Sequence, residues 1–423
     1  MTGPSRSKHL TLISGAVICA LGFYTIYDSV ILGVSGGQRL IYGAVLAGCL
    51  LVLVVGARQI ALSAGELIFL VLYVVCNALW LIPVPAAQNV YLTYVIGDIT
   101  SLMMPIVFLL IGAIDPGLFR SRSALVLLCV LLLFAAMLGV VGSVSGRFEP
   151  PHVLLLALLW LGAGRSTGLG RMFFWAALLL VLFVAFESGA RASVVLWLLG
   201  GVYILALYWP VRKLLLVVGP VAAIAVVLAG SLIQQEVVSL LQETRFSKNV
   251  EGEVDNSLLS RFNEASDAMN EFGNHAGSLN YIFGFGHGST FQPVHSSLRN
   301  AIGDGVVHNI HIGPVLVFFR YGLLGVAVYV LLIVSVFLSF LRHRRSGGIK
   351  GPSGGQIFFT FAMTMYLADG LVHNVFVDPA FSFVLGGYLH FLIRRTHAFP
   401  LYQDSGLKFV PEQENQRIRV LPA

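Results

Sequence analysis

Long uncharged apolar runs recur through this chain and constrain its fold more than any other feature. A helix needs about 20 predominantly apolar residues to cross the hydrocarbon core of a bilayer, and runs of this kind follow one another from residue 10 onward. Only 11% of the residues are charged, against about 25% in an ordinary soluble domain. Because lipid offers no partner to backbone polar groups, we expect an all-α polytopic membrane protein.

Twelve runs have the length of a spanning or nearly spanning helix. By residue number they are 10–32, 40–57, 62–83, 91–114, 123–144, 153–164, 172–187, 192–209, 213–233, 309–341, 356–375 and 379–393. About 12 transmembrane helices are therefore expected. The predicted parts of the chain are transmembrane helices 1–9 within residues 1–233, a long loop over 234–308, transmembrane helices 10–12 within 309–396, and a tail over 397–423.

Lysine and arginine are distributed unevenly among the predicted loops. Short loops rich in these residues stay in the cytoplasm. With both termini inside, 18 of the 26 basic residues fall on the cytoplasmic side, which supports this topology and puts loop 234–308 on the periplasmic side. The net charge of +6 is then a consequence of topology in the lipid bilayer, and no nucleic-acid partner is expected.

The long periplasmic loop is polar but has features of a folded segment. Residues 234–306 contain nine acidic and four basic side chains, and several aromatic residues argue against full disorder. The stretch 258–265 has the pattern of an amphipathic helix. Loops of this length in a compact domain are usually functional or disordered, so we expect a partly helical loop that folds over the bundle.

Two arginines on the predicted outer side are candidates for phosphate binding. Arg191 lies in a tight polar turn between two apolar runs, and Arg261 lies in the long loop. A guanidinium binds phosphate oxygens through a planar fork and stays protonated, so the two side chains could hold a diphosphate. The alternative for Arg191 is a snorkelling arginine or one paired with Glu187.

Histidines at the outer end of the tenth predicted helix are the candidate general bases. His308 is followed by Asn309 and, one turn later, by His311. The unperturbed pKa of imidazole is about 6.5, so it can take a proton from an alcohol near neutral pH. His308 is the first choice, and His311, on nearly the same helical face, could be the base or a capping residue. A metal site from these histidines with His373 and Asp378 matches no dedicated zinc spacing, so no metal or other cofactor is expected.

The glycine-rich run 284–288 resembles a nucleotide-binding loop only superficially. It lacks the strand–turn–helix setting that gives such a motif its meaning. We expect Gly284 and Gly286 to support the site by forming a turn that brings the loop towards the membrane.

Acidic residues inside predicted spans define a competing class of function. Asp28, Glu66, Asp98 and Asp369 all fall within apolar runs. Intramembrane acids of this kind suit a proton-coupled transporter or a lipid-linked sugar flippase. Against this class, the chain has no internal repeat of the type that transporters often contain, and it has one asymmetric outer loop.

Taken in order, these motifs resemble those of the O-antigen ligase and O-antigen polymerase superfamily. The resemblance covers about residues 185–330, and the first five helices match only as generic apolar spans. It rests on Ser188-Gly189-Ala190-Arg191 between two helices, a long outer loop with Arg261, the run Tyr281-Ile282-Phe283-Gly284-Phe285-Gly286-His287-Gly288-Ser289, the pair His308-Asn309, and Arg320-Tyr321-Gly322-Leu323-Leu324-Gly325. A second His-Asn pair, His373-Asn374, departs from the family pattern.

This resemblance implies a GT-C-like, metal-independent inverting glycosyltransferase of the bacterial inner membrane. Such enzymes transfer a glycan from undecaprenyl diphosphate to an acceptor hydroxyl on the periplasmic face. Carried onto this chain, Arg191 and Arg261 would bind the diphosphate and His308 would activate the acceptor, supported by Asn309 and His311. The first choice is an O-antigen ligase, whose acceptor is lipid A-core. The alternative is a polymerase, whose acceptor is another lipid-linked repeat unit.

Overall fold

A computed structural model of the protein describes helical structure through most of the central part of the chain. The described residues are 62, 64–81, 92–114, 130, 132–133, 152–165, 168–187, 191–208, 256–295, 305–345, 354–371 and 373–396. Apart from one isolated antiparallel bridge between Phe291 and Val307, the regular structure in these residues is helical. The α-helices are α1 (Ala64–Leu79), α2 (Leu92–Ile114), α3 (His152–Arg165), α4 (Gly168–Glu187), α5 (Arg191–Tyr208), α6 (Asn256–His275), α7 (Ser278–Phe283), α8 (Gly313–Arg345), α9 (Gly354–Asp369) and α10 (Pro379–Thr396).

The apolar runs predicted the positions of the helices more accurately than their lengths. The runs that start at 62, 91, 153, 172, 192, 309, 356 and 379 coincide with α1 to α5 and α8 to α10. Among the described residues, however, three helices are long and apolar enough to cross a membrane, and not twelve: Tyr94–Gly112, Gly168–Ala185 and Gly313–Arg345. The predicted spans 10–32, 40–57 and 213–233, most of 123–144, and the tail lie outside the described residues.

The described helices form a bundle around one large apolar core. This core takes its side chains from α2 to α5 and from α8 to α10. Two glycines of α10 allow its close packing: a Cβ on Gly386 would lie 2.6 Å from the Cβ of Phe108 in α2, and one on Gly387 would overlap the ring of Phe359 in α9. Because both positions lack a side chain, α10 lies directly against its two neighbours. The protein is thus an all-α membrane protein whose helices pack as a bundle.

A second, smaller core joins the long loop to the bundle. The predicted amphipathic helix is present as α6, and its Ala268 and Phe272 pack with Phe285, Phe291 and Phe319. The last of these residues belongs to the beginning of α8. The described part of the loop is therefore a folded segment that is attached to the start of α8.

The helix α8 is broken near its beginning. Its 33 residues would form a rod of about 50 Å, but Gly322 has the non-helical angles φ +60° and ψ −158°. A Cβ at this position would lie 2.5 Å from the nitrogen of Gly284 and from the carbonyl of Ile282. The break divides α8 into a short outer part, 313–321, and a longer part, 323–345, that ends in a basic cluster with Arg344 and Arg345.

We expect Gly322→Ala to destabilise the protein by about 2–4 kcal/mol, because alanine is strained at this positive φ and its Cβ meets neighbouring backbone. The measurement is the free energy of unfolding of the purified protein in detergent. The control is Gly273→Ala on α6, where no atom lies within 4 Å of the added Cβ. That change should raise stability by about 0.4–1 kcal/mol. Equal stability of Gly322→Ala and the wild type would contradict the role of the break.

Candidate functional site

The glycine run 284–288 docks against the break in α8. Its three glycines have φ values of +72°, +83° and +75°, a region that other residues rarely adopt. The N–H of Phe285 donates to the carbonyl of Phe319 at 2.9 Å, and the N–H of Gly286 donates to the carbonyl of Arg320 at 2.8 Å. Carbonyls at the end of a helical segment lack their usual partners. The glycine run supplies these partners and fixes where the loop meets the bundle.

A buried ion pair joins α2 to the same two segments, the glycine run and α8. The guanidinium Nη1 of Arg320 donates to Oδ1 of Asp98 at 2.8 Å, and the N–H of Gly288 donates to Oδ2 at 2.8 Å. Asp98 is 5% exposed and Arg320 is 3% exposed. Removing one partner of such a pair leaves an uncompensated buried charge, which typically costs about 3–5 kcal/mol. One carboxylate on α2 thus anchors both the glycine run and α8.

His308 lies in this cluster, and its ring nitrogens contact both acceptor oxygens and the Arg320 guanidinium, whose Nη2 is 3.1 Å from Nδ1 and 3.0 Å from Nε2. Nε2 is 3.2 Å from Oδ1 of Asp98, and Nδ1 is 3.2 Å from the carbonyl of Ser289. The imidazole stacks on the ring of Tyr94 with centroids 4.1 Å apart and 6° between the planes. Arg320 donates to the His308 carbonyl at 2.5 Å. His308 is therefore held as a bridge within the protein.

His311 forms a separate pair with Glu264 of α6. Nδ1 of His311 is 2.8 Å from Oε2 of Glu264, and the backbone N–H of His311 donates to Oε1 at 2.9 Å. The Glu264 side chain is 5% exposed, whereas that of His311 is 45% exposed. A carboxylate that accepts the Nδ1 proton leaves Nε2 as a proton acceptor. This is the arrangement of a general base with an orienting carboxylate.

Of the two candidate phosphate-binding arginines, the structure describes the side chain of Arg261 but not that of Arg191. Arg261 is half-buried on α6, three residues before Glu264, so both side chains lie on neighbouring positions of one helical face. Arg261 is thereby brought close to the His311 pair. Arg191 is the first residue of α5, and its side chain lies outside the described part of the structure.

The two His-Asn pairs meet in the structure although 65 residues separate them. The side chain of Asn374 donates to Oδ1 of Asn309. Nearby, the N–H of Gly313 donates to the carbonyl of Gly370 at 3.0 Å. The beginning of α8 and the end of α9 are therefore joined beside His311.

His287 in the glycine run is a buried packing residue. It is 3% exposed, its N–H donates to the carbonyl of Trp80 at 3.1 Å, and its ring lies edge-on to Trp80 and Tyr321. Burial lowers the pKa of His287 from 6.5 to about 4. The imidazole is therefore neutral at neutral pH.

Three residues of the site were not predicted to belong to it. Asp98 was assigned to the competing transporter class, and Arg320 and Glu264 were assigned no chemical role. Asp98 and Arg320 could have been recognised by their opposite charges within predicted spans, since charges in the membrane must find partners. A signal for Glu264 is its position one helical turn after Arg261. Among the residues that the structure describes, no group of three or more His, Cys, Asp or Glu side chains could hold a metal ion.

Comparison with protein-family models finds no matching family, and comparison with curated proteins finds no significant match. The interpretation of this site consequently depends on its geometry and on the motif resemblance described above. The geometry combines one buried structural cluster around Asp98 with one partly exposed histidine–carboxylate pair beside an arginine.

We expect His287 to make stability depend on pH. Because its pKa is about 4 in the folded protein and about 6.5 when unfolded, the unfolded chain binds more protons between these values. The stabilisation of the folded protein by neutral His287 is therefore complete above pH 6.5. It is lost as the pH falls towards 4, a change in the free energy of unfolding of about 3 kcal/mol. The measurement is the free energy of unfolding against pH for the wild type and His287→Gln.

The stability advantage of the wild type over His287→Gln should shrink as the pH falls from 7 to 4. His275→Gln, at an exposed position on α6, is the matched control and should leave the profile of the wild type unchanged. Parallel profiles for the wild type and His287→Gln would show that the histidine titrates normally.

Proposed function

We propose that the protein is a glycosyltransferase that moves a glycan from undecaprenyl diphosphate to an acceptor hydroxyl. The observation that carries this proposal is the pair of His311 and Glu264, with Arg261 one helical turn away on α6. A base that is oriented by a buried carboxylate suits activation of an alcohol. A neighbouring guanidinium suits the negative charge that develops on a departing diphosphate.

In the proposed reaction the acceptor oxygen attacks the anomeric carbon from the face opposite the diphosphate. His311 Nε2 takes the hydroxyl proton as the new carbon–oxygen bond forms, and Glu264 stabilises the resulting imidazolium. The bond from the anomeric carbon to the diphosphate breaks, and undecaprenyl diphosphate leaves with the bonding electrons. Arg261, with Arg191 as the second proposed ligand, stabilises that charge. No metal is required for this charge balance.

His308 was the first choice for the base on sequence grounds, and that assignment stays a prediction. The geometry favours His311, because the ring nitrogens of His308 already contact Asp98, Ser289 and Arg320. The His308 side chain is also only 17% exposed, against 45% for His311. In the proposed enzyme His308 is a positioning residue that links α2 to the segment before α8. Asn309 has a similar role through its bond to Asn374.

The proposed site faces the periplasm. The long part of α8 ends in Arg342, His343, Arg344 and Arg345, a cluster typical of a cytoplasmic helix end. The opposite end of α8 carries the His311 pair. This arrangement supports the proposed position of loop 234–308 on the outer side of the membrane.

Among the described acids, the contacts of Asp98 argue against the competing transporter class. Asp98 is bound by Arg320 and by a backbone amide, Glu66 lies 3.3 Å from His390, and Asp369 is paired with two histidines. Asp28 lies outside the described residues. Asp98 is a poor candidate for a proton carrier, because its two oxygens are held by the Arg320 guanidinium and by the N–H of Gly288.

Within the enzyme class we propose an O-antigen ligase with lipid A-core as the acceptor, and a polymerase is the alternative. A deletion strain distinguishes them by lipopolysaccharide electrophoresis. Loss of all polymer from lipid A, with polymer retained on the carrier lipid, indicates a ligase. A single repeat unit on lipid A indicates a polymerase.

We expect Arg261→Lys and Arg191→Lys each to lose most glycan transfer, because lysine cannot make the bidentate contact of a guanidinium with phosphate. The measurement is transfer by purified variants in detergent containing EDTA. Arg171→Lys on α4 is the matched control and should keep normal activity. Near-normal transfer by both lysine variants at 191 and 261 would mean that these arginines are structural, and loss of wild-type activity in EDTA would indicate a metal.

We expect His311→Ala to lower kcat by about 10²–10⁴-fold, the usual effect of losing a general base, with little change in binding of the lipid diphosphate. Glu264→Gln should act in the same direction. His308→Ala should instead lower the unfolding temperature, because it removes a bridge to Asp98. A larger loss of kcat in a stably folded His308→Ala than in His311→Ala would return the base to His308.

A further inference from the structure

A second cluster of polar side chains lies at the end of α9, beside the proposed site. Asp369 is only 5% exposed. Its Oδ1 is 2.7 Å from Nδ1 of His373 and 3.8 Å from Nε2 of His152 at the start of α3. The side chains of these two histidines are 30% and 19% exposed. The cluster thus presents two imidazoles around one buried carboxylate.

Hydrogen bonds fix the segment that follows His373. The hydroxyl of Tyr366 donates to Oδ2 of Asp378 at 3.1 Å, and the N–H of Ala380 donates to Oδ1 at 2.8 Å. Burial raises the pKa of Asp378 to about 6. These bonds fix the turn between His373 and α10, so the position of the cluster is set by three helices.

The cluster adjoins His311 through two contacts. The side chain of Asn374 donates to Asn309, and the N–H of Gly313 donates to the carbonyl of Gly370. His311 lies between Asn309 and Gly313 in the chain. A molecule bound at the second His-Asn pair would therefore lie next to the proposed base.

The chemistry of this cluster differs from that of the Arg261 region. The partners described for Asp369 are histidines, with no lysine or arginine among them, so the cluster does not suit a phosphate. A carboxylate accepts hydrogen bonds from neutral hydroxyl groups, and neutral imidazole and amide groups both donate hydrogen bonds to them and accept hydrogen bonds from them. Hydrogen bonds from a hydroxyl to an ionised carboxylate are among the stronger ones.

We propose that His152, Asp369, His373 and Asn374 form the acceptor subsite and bind hydroxyl groups of the acceptor sugar. This inference rests on the proposed function and assigns the second His-Asn pair to the acceptor. The donor diphosphate is bound from α6 and α5, and the acceptor is bound from α9 and α3. His311 lies where the attacking hydroxyl reaches it.

The test is steady-state transfer by purified Asp369→Asn and His373→Gln. The donor concentration is kept saturating, and the acceptor concentration is varied. The acceptor is rough-type lipopolysaccharide, or the unlabelled lipid-linked repeat unit if the wild type uses that instead. Each variant should raise the KM for the acceptor about tenfold or more, the effect of losing one hydrogen bond to a charged group. The KM for the donor and the kcat should change less than threefold. His275→Gln, a histidine paired with a carboxylate on α6, is the matched control.

Slow hydrolysis of the donor without acceptor gives a second readout. It should be unchanged in both variants, since water replaces the acceptor. If kcat or hydrolysis falls while the KM for the acceptor stays constant, the cluster is structural and this inference is overturned. His373→Gln decides the result if Asp369→Asn fails to fold. A wild type that neither transfers nor hydrolyses the donor would instead overturn the proposed function itself.

Discussion

The buried ion pair between Asp98 and Arg320 is the interaction on which the rest of the described site depends. It joins α2 to the short outer part of α8, and the second carboxylate oxygen receives the N–H of Gly288. A buried charge is tolerated only when it is paired and hydrogen-bonded. The positions of the glycine run, of His308 and of the start of α8 are therefore coupled.

Much of the helical architecture could be predicted because it is encoded locally. Apolar runs predicted α2 and α8 closely, since each run carries its own membrane preference. The break at Gly322 was not predicted, because the sequence shows only a glycine in an apolar helix, where glycine is common. Its angles depend on the close approach of Gly284 and Ile282. That approach is a tertiary contact without a local signal.

The candidate site was predicted only in part, because it too depends on contacts between residues that are distant in the chain. The residue types at His308 and His311 indicated proton transfer, but the choice between them depends on carboxylates that are distant in the chain. Asp98 is 210 residues from His308, and Glu264 is 47 residues from His311. Without these partners the two histidines look equivalent. The interpretation of Asp98 as a transport residue had the same origin, because Arg320 was considered apart from it.

The break in α8 also sets the depth of the site relative to the bilayer. The part 323–345 is about 34 Å long at 1.5 Å per residue, close to the thickness of the hydrocarbon core, about 30 Å. If 323–345 spans the core, Gly322 falls near one boundary of it, and the short outer part of α8 lies at the level of the headgroups. In the proposed reaction, the polyprenyl chain of the donor would stay dissolved in the acyl region while its diphosphate reached Arg261. The proposed reaction would then need no extraction of the lipid, which would cost about 0.8 kcal/mol for each CH₂ group moved into water.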